Sequence, residues 1–190
     1  MAGFERRLVL KSEVGRDDVE LAAWEFDWNL VEMGEEGAEV YIDIWQTDDE
    51  KTEIHYVEDR LIGLNYLTLR GGGVDMEVQR IETALQLWSL DDALESLRVV
   101  TGRDEWLVTI YAIALTAPEG EERDDVVDVF REFAADPDPG IRQAVVVATG
   151  YRTWPALVEI VEELHRNDPV DHVRKNAGIL LEGIRLHGQE

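Results

Sequence analysis

The chain contains no cysteine, which removes disulfides, thiolate nucleophiles and thiolate-ligated zinc or iron-sulfur sites together. Lysine is nearly missing: Lys11, Lys51 and Lys175 stand against fifteen arginines, which suggests a GC-rich bacterial or archaeal genome. Positive charge is scarce altogether, with 18 basic residues against 42 acidic ones and a formal net charge of −24. A chain of that sign repels phosphate, so direct nucleic-acid binding and docking on anionic membranes are both excluded as expectations. Serine is confined to Ser12, Ser89 and Ser96, none of them in a Gly-x-Ser-x-Gly elbow. No stretch approaches the ~20 apolar residues of a membrane span, and Leu8-Val9-Leu10 is too short for a signal peptide, so the expected location is the cytoplasm.

Metal chemistry lacks its ligand patterns as well. The histidines are His55, His165, His172 and His187, and no His-Glu-x-x-His spacing joins any two of them. Pro169 breaks any helix between His165 and His172. Acidic clusters such as Asp48-Asp49-Glu50 match neither an EF-hand loop nor a nucleotide-binding motif and read as solvated turns and helix starts. No catalytic residue, metal site or cofactor is therefore expected. What the chain does have is 45% apolar residues, six tryptophans among them, in 190 positions. That is enough for one or two small domains with a real core.

The front half reads as strands. Trp24, Phe26, Trp28 and Leu30 alternate with Glu25, Asp27 and Asn29; a helical stripe through Val19, Ala22, Phe26, Leu30 and Met33 also fits, but the aromatics favour the pleated surface. Gly34-Glu35-Glu36-Gly37 supplies a turn into Val40 to Trp45, and further runs follow from Thr52 to Val57 and Leu61 to Leu69, with Phe4 to Leu10 as a fifth candidate. Gly71-Gly72-Gly73 sets the expected boundary, giving an antiparallel β-meander over residues 1–73.

Beyond it the period changes to about 3.6 residues, so residues 74–190 are expected to be helical. Val74, Val78, Ile81, Leu85 and Trp88 form one stripe. Ser89 opens a short helix through Val100, and Pro118 and Pro137 end two more. An internal repeat then stands out: Asp136-Pro137-Asp138-Pro139-Gly140-Ile141-Arg142 aligns without a gap with Asp168-Pro169-Val170-Asp171-His172-Val173-Arg174. Self-similarity at this spacing of 32 residues signals stacked helical hairpins. Each Asp can cap a helix, each Pro suits a first turn, and an Arg six residues after the Asp can pair with the Asp of the next copy. Asp136, Arg142, Asp168 and Arg174 are accordingly read as a structural ladder.

These residues resemble the HEAT-like repeats, in particular the short variety of the phycobilin-lyase-like group, with Asp-Pro followed by Val-Arg and small residues. The resemblance covers residues 103–187 and is marked at Asp136 to Gly150 and at Asp168 to Ala177. From Asp104 to Thr116 the Asp-Pro is missing and Leu107-Val108 replaces the Ile-Arg pair. It implies an α-solenoid that binds proteins along one face, and so an α+β chain with a sheet in front of a HEAT-like solenoid.

Function is expected to follow from surface display and charge. The leading expectation is a non-enzymatic binding module for another, basic protein, such as an inhibitor or immunity protein acting on a basic toxin or nucleic-acid enzyme. A scaffold or adaptor, a phycobilin-lyase-like chromophore-handling protein, and an edge-strand homodimer are the alternatives, with monomer and homodimer both open. Trp154, Glu162, Glu163, His165, Asp171 and His172 are the candidate interface; Trp154, just before Pro155, reads either as a staple or as an outward anchor.

Overall fold

The computed structural model describes residues 5–187. The chain is α+β and packs as two compact units, Met1–Ser89 and Leu90–Glu190.

The first unit is an antiparallel sheet of β1 (Glu5–Val9), β2 (Trp28–Glu32), β3 (Val40–Thr47), β4 (Thr52–Asp59) and β5 (Leu64–Gly71), in the order β1-β5-β4-β3-β2. Phe4, the expected start of the leading strand, lies outside the described residues. Two helices accompany the sheet, α1 (Arg16–Glu25) and α2 (Val74–Ala84). Alternation holds along β3, but Tyr41, Asp43, Trp45 and Thr47 take its buried positions while Ile42 is exposed.

Two expectations are corrected here. Trp24 belongs to a helix and not to a strand. The Gly15 amide donates to Asp18 Oδ2 at 2.8 Å, closing the first turn of α1, and Val19, Ala22 and Ala23 bury its inner face. The chain reverses at Asp27, whose φ is +57°, so strand alternation begins only at Trp28. The unit also runs past the glycine triplet to Ser89. Val74, Val78, Ile81 and Leu85 share one core with Ile54, Tyr56, Leu67 and Leu69 of the sheet, so α2 shields apolar surface that the strands would otherwise expose.

Two buried carboxylates hold this unit together. Asp43 accepts hydrogen bonds from the Gly34 amide at 3.0 Å, Tyr41 Oη at 2.7 Å and Arg16 Nε at 2.7 Å. Burial opposes its ionisation, yet these three donors outweigh it and hold the carboxyl below its ordinary value. Glu77 of α2 accepts from Trp28 Nε1 at 2.9 Å and from Arg80 Nη1 at 3.0 Å, tying α2 to β2.

The second unit consists of α3 (Leu90–Ser96), α4 (Arg103–Thr116), α5 (Asp124–Ala134), α6 (Pro139–Tyr151), α7 (Pro155–Asn167) and α8 (Asp171–His187). Sequential neighbours α3 and α4, α5 and α6, and α7 and α8 pack as pairs; α6 also packs against both α4 and α8, and α5 against α7. Amphipathic stripes set the buried faces, such as Val126, Val127, Phe130 and Phe133 on α5 and Leu157, Ile160, Val161 and Leu164 on α7. The helix opened by Ser89 ends at Ser96, short of the expected Val100. Among the described residues no helix is long and apolar enough to cross a membrane.

Candidate functional site

The two Asp-Pro turns have the same local geometry. Asp136 Oδ1 accepts from the Asp138 amide at 2.7 Å, and Asp168 Oδ1 accepts from the Val170 amide at 2.8 Å. Asp138 caps α6 by accepting from the Gly140 amide at 2.7 Å, and Pro139 occupies the first turn, where no backbone donor is needed.

Arg142 joins the two turns. Its Nε donates to Asp168 Oδ2 at 2.6 Å and its Nη2 to Asp168 Oδ1 at 3.0 Å, a bidentate fork. Its Nη1 donates back to the carbonyls of Asp136 at 2.8 Å and Pro137 at 3.1 Å. Both side chains are buried. The hydrogen bond from Arg142 is the main reason the Asp168 carboxyl titrates below its ordinary value. Arg174 repeats the backbone contact, donating to the Asp168 carbonyl at 2.6 Å, but its remaining partner is the exposed Asp171 at 3.1 Å. Among the described residues Asp136 receives no arginine from an earlier copy; instead Arg103 Nε reaches Asp138 Oδ2 at 2.6 Å. The four ladder residues thus form one buried rung, Arg142 with Asp168.

Around this rung lies a groove of about 780 Å³ between the end of α5, the two Asp-Pro turns and α7. Ile160 and Leu164 of α7, with Pro137, Pro139 and Pro169, supply apolar walls. Glu159, Glu163 and Asn167 stand along its α7 side, and Arg131 faces them from α5. Arg131 is paired with Asp128 at 3.2 Å. Glu159 and Glu163 are exposed and have no ion pair or side-chain hydrogen bond among the described residues, so the groove carries uncompensated negative charge beside apolar surface.

Of the expected interface residues the groove takes only Glu163. Glu163 lines the groove, whereas Glu162, one residue away, does not. His165 is exposed, with Nδ1 at 2.9 Å from the Arg174 carbonyl, and its ring lies against Gly178, where a Cβ would come within 2.9 Å of Cε1. Asp171 is engaged by Lys175 at 2.7 Å and by Arg174. His172 is exposed and lies off the groove. Of the two readings of Trp154 the outward anchor is overturned: the side chain is 6% exposed, stands at the N-cap position of α7 without a side-chain capping bond, and donates from Nε1 to the Pro118 carbonyl at 3.2 Å. Glu159, Asn167 and Arg131 escaped the sequence reading. The i, i+4 recurrence of Glu159 with Glu163, beside Ile160 with Leu164, was the available signal.

Comparison with family models, with curated proteins and with solved structures found no match to this chain. Among the described residues, no three or more His, Asp or Glu side chains are grouped so as to hold a metal ion.

Proposed function

We propose that the chain is a non-enzymatic protein-binding module in which α3 to α8 form a short HEAT-like solenoid and the α5–α7 groove takes a basic segment of a partner protein. The solenoid reading rests on the gapless repeat, the identical Asp-Pro turns and the Arg142–Asp168 rung between successive copies. The observation that carries the binding reading is the pair Glu159 and Glu163, which make no ion pair among the described residues and stand beside the apolar walls of the groove. A lysine or arginine flanked by small apolar residues satisfies both features at once. An acidic inhibitor or immunity protein directed at a basic toxin or nucleic-acid enzyme is the reading of this kind that the charge of −24 favours most.

The test is to capture the partner from the native host at low salt and measure association with the wild-type chain and with E159K/E163K. Steered binding through the groove predicts an association rate that falls steeply as salt approaches about 1 M, where the Debye length is about 3 Å, and an affinity at least about tenfold weaker for the variant. Salt-independent rates and an unchanged variant would sink the proposal. The groove volume also lies within the range of small-molecule pockets, so a phycobilin-lyase-like role in handling a chromophore is the second reading. Visible absorbance copurifying with the wild-type chain and lost on filling the groove with Ala156→Trp would favour it.

A further inference from the structure

Away from the groove, apolar surface is left uncovered on α1 and β2. Trp24 is 83% exposed and Leu21 67%; three residues apart, they share one face of α1. Val31 in β2 and Met33 just beyond it are 61% and 65% exposed. The two elements adjoin through Phe26 and Asp27 and pack on one another. β2 is also the last strand of the sheet, with β3 its only strand partner among the described residues. All of its residues except Trp28 are exposed, so its outer edge offers unpaired backbone groups to an incoming strand.

Charge selects what can pair there. Residues 16–39 contain nine acids and a single base, Arg16, and Asp17, Glu25, Asp27, Glu32, Glu35 and Glu36 are all exposed. A second copy of the chain laid along β2 would set this acidic frame against itself, and like charges across a ladder repel. The register also shifts between Leu30 and Glu32, the kind of irregularity by which edge strands avoid indiscriminate self-pairing. An extended segment carrying arginine or lysine alternately with apolar residues removes the charge penalty. Its cations meet the carboxylates, an arginine can stack on the open face of Trp24, and its backbone completes the edge.

We propose that the β2 edge, together with Leu21 and Trp24 of α1, is a second docking surface, separate from the α5–α7 groove, for an extended basic segment of a partner protein. The probe is a capped peptide of alternating arginine and valine, with a glutamate–valine peptide of equal length as control, titrated into the full chain at low salt. The expected result is binding of the basic peptide alone, with slowed hydrogen exchange at the amides of residues 28–32. Read from the protection of those amides, which reports the β2 edge and not the groove, that affinity should fall at least about tenfold in L21S/W24S, while E159K/E163K retains it. Both L21S and W24S replace exposed side chains, and an unchanged circular dichroism spectrum with an unchanged melting temperature establishes that the fold persists. Unchanged protection in L21S/W24S, absence of protection at residues 28–32 in the wild-type chain, or loss of that protection in E159K/E163K would overturn the proposal. So would concentration-dependent dimerisation of the chain that protects these amides without peptide, since a second copy would then be the occupant.

Discussion

Arg142 and Arg174 occupy the same position in two copies of one motif, yet their surroundings separate them. Arg142 holds a fully buried carboxylate, and truncating it strands the charge of Asp168 away from water. Breaking such a pair costs about 3 kcal/mol or more, so R142A is expected to lower the urea midpoint substantially. Arg174 is about one-third exposed and its carboxylate partner lies in solvent, so R174A should cost only about 1 kcal/mol, mainly for the lost bond to the Asp168 carbonyl. Equal midpoints for the two variants would contradict the single-rung assignment. The motif was visible in the sequence, but that Arg142 reaches the buried Asp168 while Arg174 meets the exposed Asp171 was decided by packing.

At the scale of elements, the glycine triplet shows how much a composition signal can hold. It was legible as a boundary because glycine stabilises neither strand nor helix interior. Packing gives its members different tasks. Gly71 has φ +112°, and a Cβ there would sit 2.1 Å from the Lys51 carbonyl oxygen; Gly72 has nothing within 4 Å. Gly71→Ala is therefore expected to destabilise the first unit by about 2 kcal/mol or more, and Gly72→Ala to be nearly neutral, in thermal melts of the full chain. The misreading of Trp24 has a related cause. From Val19 to Leu30 both periods fit, and the decision falls to the left-handed residue Asp27 and to a helix start at Gly15, neither of which is a hydrophobic signal.

For the whole molecule, the charge of −24 and the buried carboxylates act in opposite directions as pH falls. Protonating exposed acids toward the isoelectric point near 4.4 relieves self-repulsion. Asp43 and Asp168, by contrast, titrate below the ordinary value of 3.8. A depressed carboxyl stabilises the fold fully above its unfolded value and loses that contribution as pH falls through its folded value. The melting temperature is thus expected to hold or rise on mild acidification and then to drop below about pH 4. D168N, weaker at neutral pH, should converge on the wild type in that acid range; parallel curves would remove Asp168 from the acid response.

Local periodicity carried the strands, the helices of the second half and the 32-residue repeat, since each is written in neighbouring residues and their spacing. The burial of Trp154, the carboxylates of Asp43 and Glu77, the attachment of α2 to the sheet and the line of Glu159 and Glu163 along a groove were decided by tertiary packing. The reason is physical: a side chain's polarity says what environment it prefers, but only the elements packed against it determine whether its donors, acceptors and charges are matched or left open. Forty-two acids looked alike in the sequence. Packing separated the few that are buried and paired from those free to meet a partner.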